Sequence, residues 1–148
     1  MKYEKESYKI KPEPLTVAKM VLLILERNNE EVNLRQLQKI LRELNTLWYF
    51  SKDNPLFNET FVKNCFNEWQ LKSVWDRFCR FGAMTITCGF FSVFKITFES
   101  LSKELAESNL TEEDINYLNE LINFIIKEQK YKNHWGGNNY EFNVLQQN

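Results

Sequence analysis

The chain of 148 residues is short of everything that makes irregular or stapled structure. It has 4 Gly and 3 Pro, too few for a low-complexity or loop-dominated protein. Its 3 Cys, Cys65, Cys79 and Cys88, are odd in number and show no CxxC spacing. They read as reduced, mostly buried thiols of an intracellular protein. The net charge is −1, so the overall cationic excess expected of a phosphate-neutralising protein is missing. No window approaches the ~18 apolar residues of a membrane span. Met1 opens a charged, polar stretch without the apolar core of a signal peptide. These features predict a cytoplasmic protein.

Reactive groups are equally sparse. There is one histidine, His134, and no Walker A loop, GxGxxG, HExxH or GxSxG. A zinc site would have to join His134 to the three Cys across wide, irregular spacings. A surface or interface histidine is the simpler reading. A cysteine nucleophile would need a base. Only His134 could serve, and nothing in the sequence sets it beside a thiol. Carboxylate pairs such as Glu112 and Glu113 sit at a helix start, where capping accounts for them. The expectation is no catalytic residue, no cofactor and no metal: not an enzyme.

What is present is apolar. Hydrophobic residues make up 43% of the chain and aromatics 15%. A single domain of this length buries roughly 70% of the surface its unfolded chain exposes, and needs no staple. Its 12 Phe and 4 Trp exceed what a core requires, which leaves some for a surface that meets another protein.

The most complete pattern starts at Asn33. Leu34, Leu37, Leu41, Leu44 and Trp48 recur at steps of three and four, one face of a helix running to Tyr49. Ile40 and Leu47 widen the stripe. Asn33 with Gln36 three residues on has the form of a capping box. Before it, Pro12-Glu13-Pro14 closes an extended arm over residues 1–14. Thr16 caps a first helix ending near Arg27, apolar almost all round and so central. After it, Ser51–Pro55 is a turn. Residues 61–70 fit a helix by the spacing of Phe61, Val62, Cys65, Phe66 and Trp69, but Asn64 and Asn67 interrupt it, so helix and strand both stay open.

Leu71, Val74, Trp75 and Phe78 give a clearer helix that Gly82 closes. Alternation then predicts a hairpin of Met84–Cys88 with Phe91–Phe98, turning at Gly89. A short helix follows over Ser100–Ala106. Thr111 caps the last long one, striped by Ile115, Leu118, Ile122, Ile125 and Gln129. Residues 132–148 form a polar tail. The predicted fold is mainly α: a multi-helix domain over 15–131 with a small two-stranded β-hairpin.

Three features suggest partners. Arg35, Lys39 and Arg42 make a basic stripe on a helix that follows a helix, broadly as in a helix-turn-helix DNA reader. Glu31 and Glu43 dilute it, and a solvated face explains it more simply. The Phe90–Phe94 run is core or an open sheet edge. Trp69, Trp135 and Tyr140 fit no core stripe, and Trp and Tyr are common interface anchors. The candidate partner-binding residues are Phe61, Phe66, Trp69, Phe90, Phe91, Trp135 and Tyr140.

The stretch from Val17 to Phe78 also resembles a known family. Val17-Ala18-Lys19 opens the first helix, and Leu37-Gln38-Lys39-Ile40-Leu41 is similar to an LQKLLY core. Trp48-Tyr49 follows at the matching distance. Pro55-Leu56-Phe57-Asn58-Glu59 is similar to a PLF-acidic turn, and Val74-Trp75 and Phe78 stand where a Val-Tyr and a later Phe are expected. Leu110-Thr111-Glu112-Glu113 resembles the start of the late helix. In this order the motifs resemble the Panacea, or SocA-like, antitoxin domain of bacterial and prophage genomes. Phe66-Asn67-Glu68-Trp69-Gln70 departs from that family's Tyr-Gly-Pro, and the terminal His and Trp region is reduced to His134-Trp135. The chain resembles a divergent member.

The resemblance implies a helical domain that neutralises a cognate toxin by direct binding, without catalytic residue or cofactor. It assigns no toxin-contact residue. The expected function is that of a protein-binding antitoxin. One alternative is a phage or mobile-element inhibitor of a host defence nuclease on the same scaffold; another is a DNA-binding regulator.

Overall fold

A computed structural model describes residues 11–86 and 98–132. Five α-helices and one two-stranded antiparallel sheet make up its regular structure. The mainly α fold with a small hairpin is as the sequence predicts, but the hairpin stands elsewhere. It lies at Val62–Lys63 (β1) and Trp69–Gln70 (β2). Met84–Ile86, the described part of the expected first strand, is irregular. The Ile86 N–H donates to the Val32 carbonyl, 2.9 Å, in the linker between the first two helices. The rest of that predicted hairpin lies outside the described residues.

Helix α1 spans Pro14–Arg27. It begins earlier than the expected cap at Thr16. Proline suits the first helical position, since its φ is preset and its missing N–H would have had no partner. Glu13 is therefore the cap residue, and its carbonyl accepts from Thr16 N–H at 3.0 Å. The Thr16 hydroxyl is turned outward from its own helix and donates to Glu104 Oε1, 3.0 Å. Pro12 is buried and Lys11 Nζ donates to Asn54 Oδ1, 2.8 Å, so the described end of the arm is docked. Val17, Ala18, Val21, Leu22 and Leu25 are buried, nearly all round the helix. Consistent with that, α1 touches all four other helices. It ends in a Schellman turn: Asn29 is left-handed at φ 56°, and Glu30 N–H reaches the Leu25 carbonyl, 2.9 Å.

Helix α2 spans Leu34–Lys52. Its capping box forms as predicted, with Gln36 N–H donating to Asn33 Oδ1, 2.8 Å, and Asn33 N–H to Gln36 Oε1, 2.9 Å. The Leu34, Leu37, Leu41, Leu44 and Trp48 face is buried. The helix runs past Tyr49 because no breaker intervenes until Asn54-Pro55, and Asp53 then caps it at φ 59°.

Helix α3 is short, Lys72–Phe78, and passes into a 3-10 turn, Cys79–Phe81. Gly82 ends that turn at φ 57°, ψ −125°, a backbone region that side chains disfavour. Helix α4 is Phe98–Glu107 and α5 is Glu112–Glu128. Thr111 caps α5 in a second reciprocal box with Asp114. Gln129, expected to continue the stripe, is instead the left-handed cap at φ 53°. A last 3-10 turn, Lys130–Lys132, buries Tyr131 and pairs Lys132 with Glu30.

The core is one cluster from all five helices. α2 lies across α5, where the Trp48 and Tyr117 rings are 6.0 Å apart. Lys52 covers both rings and pairs with Asp114, 3.2 Å. On another side of α2 sits the hairpin, held by contacts to β2.

Candidate protein-binding surface

The hairpin is made by the two asparagines that interrupt the helical spacing of residues 61–70. Asn64 N–H donates to the Glu68 carbonyl, 2.8 Å, and Asn67 N–H to the Asn64 carbonyl, 3.0 Å. Asn67 is left-handed at φ 62°. A turn of this kind followed by one left-handed residue is a common three-residue hairpin loop, and Asn tolerates that conformation. The Asn64 side chain braces the loop from inside. Its Oδ1 accepts from Phe66 N–H at 2.8 Å and Glu68 N–H at 3.0 Å, and its Nδ2 donates to Gln70 Oε1 at 3.2 Å.

Three contacts fix the hairpin to the body. Arg35 Nε donates to Glu68 Oε2 at 2.6 Å, within a salt bridge. Gln38, only 5% exposed, faces the backbone of Leu71 with both ends of its amide. Leu71 N–H donates to Gln38 Oε1 at 2.9 Å, and Gln38 Nε2 donates to the Leu71 carbonyl at 3.1 Å. Phe61, half-buried, sets its ring edge-on to Phe57, centroids 6.1 Å apart. Beyond the hairpin, Glu59 Oε2 accepts from Ser73 N–H, 3.1 Å, at the start of α3.

What this frame presents outward is aromatic and cationic. Phe66 at the tip is 77% exposed and Trp69 on β2 is 38% exposed. Lys63, opposite Trp69 in register, lies 5.1 Å from the Trp69 ring centroid, and the Arg42 guanidinium lies 5.7 Å from it. The basic stripe of α2 is thus not a bare solvated face, because β2 lies against it and its arginines hold Glu68 and Trp69.

Of the predicted partner-binding residues, Phe66 and Trp69 are brought together on one hairpin. Phe61 is turned inward and supports it. Phe90, Phe91, Trp135 and Tyr140 lie outside the described residues, as do Cys88 and His134. Cys65 and Cys79, expected to be buried, are exposed free thiols. Cys65 occupies the hairpin loop, where no side chain can reach the core. Trp75, assigned to the core stripe of its helix, is also exposed, because Val74 and Phe78 already fill that side of the short α3. Tyr49 and Phe50, which are not among the sequence-predicted surface aromatics, are also exposed, on the last turns of α2. Their positions off the Leu/Trp stripe were the available signal: Tyr49 stands seven residues from Arg42, on the same face.

A second surface feature is polar. A depression of about 530 Å³ is lined by Glu26, Asn29, Glu30, Glu31 and Lys132. Glu30 is already engaged there by Lys132 and by the Tyr131 hydroxyl, 3.4 Å. Burial, then the Glu30 charge, pushes the Tyr131 hydroxyl up to about 12. No group of three or more metal-ligating side chains occurs among the described residues. No helix among them is long and apolar enough to cross a membrane. Comparison of the chain with protein-family models, curated proteins and solved structures gives no match.

Proposed function

We propose that the chain is a protein-binding module that neutralises a partner protein, a toxin, by direct sequestration. The observation that carries this reading is Phe66 with Trp69: two large aromatics, the first of them 77% exposed, on a hairpin held in place by three contacts. An aromatic that folding leaves exposed on a fixed backbone has the properties of an interface anchor. The ordered resemblance of Val17–Phe78 to the Panacea antitoxin domain supports the toxin as the partner class. The hairpin falls in the segment that departs from that family, as a partner-specific surface would.

Co-expression with the product of the adjacent gene, followed by affinity purification of this chain, tests the proposal. A stable complex and relief of that product's toxicity are expected. Toxicity that persists, with no complex recovered, overturns it. DNA binding through α2 has less support, since β2 lies against that face of the helix and Arg35 is already paired with Glu68.

A further inference from the structure

We propose that the hairpin is a preformed knob for an apolar pocket edged by carboxylates on the partner protein; this rests on the protein-binding reading above. Phe66 is the knob. Its backbone is fixed by Asn64 and by the left-handed Asn67, so docking it orders little chain that is not ordered already. Its side chain contributes almost nothing to the core at 77% exposure.

The charge around it selects the rim. Three acids of this region are engaged within the protein: Glu68 by Arg35, Asp76 by Lys72 at 2.8 Å, and Glu59 by the Ser73 N–H. Arg42 and Lys63 contact the Trp69 ring and have no carboxylate partner among the described residues. A chain of net charge −1 therefore presents, at Trp69 on the hairpin that carries Phe66, two cations without counter-ions among the described residues. Carboxylates on the facing surface complete them while both stay in contact with Trp69, which makes association faster and salt-sensitive. Single-stranded nucleic acid fits less well. It stacks successive bases on successive rings, and here the Trp69 ring already carries two cations, which leaves Phe66 alone.

The test uses the purified complex with the adjacent-gene product. Phe66→Ala weakens binding by at least about 30-fold, as expected of a buried aromatic anchor, and Phe66→Leu recovers part of it. The double variant Arg42→Glu/Lys63→Glu weakens binding about tenfold and flattens its salt dependence. Phe124→Ala, on the exposed side of α5, leaves affinity unchanged. Thermal unfolding of Phe66→Ala matches the parent, which separates lost contact from lost fold. If the complex forms and the hairpin variants bind as tightly as the parent, the knob is refuted while the sequestration reading stands. If no complex forms, that reading fails and this one with it. Salt-sensitive binding of oligo-dT that Phe66→Ala abolishes overturns the protein pocket in favour of nucleic acid.

Discussion

Replacing Gln38 with Met isolates the clamp between α2 and the hairpin. Met matches Gln closely in length and in helix propensity, so packing and helix formation change little. What is lost is the pair of hydrogen bonds to Leu71, a fully buried residue. The two ends are not equivalent. The Leu71 carbonyl keeps a second donor, Trp75 N–H at 3.0 Å, while the Leu71 N–H has Gln38 as its partner. The carbonyl therefore loses an ordinary net bond of about 1 kcal/mol, and the orphaned N–H costs about 1–3 kcal/mol. Removing the buried amide itself returns part of this, so the expected loss is about 2–3 kcal/mol. For a domain of this size that corresponds to a fall in Tm of about 5–10 °C.

Urea unfolding followed by circular dichroism measures the loss. A value within about 0.5 kcal/mol of the parent would refute the claim that the amide is a structural clamp. Gln38→Glu supplies a second, pH-resolved test. Ionised, the new carboxylate can accept from Leu71 N–H but cannot donate to the carbonyl, and its charge is buried. Protonated, it does both. Its folded pKa is thus raised above the unfolded value of about 4.3. The penalty is absent below that value, grows as pH rises toward the folded pKa and is constant above it. The variant should be closest to the parent in mild acid.

Four further outcomes are expected. Asn67→Ala should destabilise the protein by about 1–2 kcal/mol, because Asn67 is left-handed, while Asn67→Gly should be near neutral; chemical denaturation compares them. Ser73→Ala should leave stability equal or raise it by up to about 1 kcal/mol, since the Ser73 hydroxyl is buried without a partner among the described residues, and thermal unfolding checks this. Burial pushes the Asp114 carboxyl up, but the Thr111 backbone N–H and Lys52 outweigh it and hold it below its ordinary value. Its contribution is present above the unfolded pKa near 4 and lost as pH falls through the folded one, so the Tm gap between the parent and Asp114→Asn should close on acidification. Of the 6 tyrosines, Tyr131 should ionise late, near 12, in an ultraviolet titration that Tyr131→Phe removes; folding should weaken only as pH rises above about 10.

Features set by neighbours within one helical turn were legible in the sequence. Asn33 with Gln36 and Thr111 with its acidic first turn fix helix starts by contacts three residues long. The Leu34–Trp48 stripe fixed which face is buried. Features that depend on what lies opposite were not legible. Two-residue strands are too short to show a period, so Asn64 and Asn67 read as breaks in a helix when they are the loop itself. The Arg35, Lys39 and Arg42 stripe looked solvated because nothing in α2 says that β2 lies beside it. Gln38 stood in the motif that carries the family resemblance, yet its role needs Leu71, 33 residues away. Part of the candidate surface is visible all the same: Trp69 fits no core stripe, and Phe66 lies in the segment that departs from the family.

The all-round burial of α1 has a consequence for how the chain is made. Its outer faces are covered by elements synthesised much later; Thr16 waits for Glu104, 88 residues downstream. At about 5–20 residues per second, that leaves the α4-facing side of an apolar helix uncovered on the ribosome for roughly 4–18 seconds. Chains released before α4 therefore carry a sticky, unfinished centre. Such fragments are natural clients for chaperones and proteases, whereas the finished chain hides α1 from both.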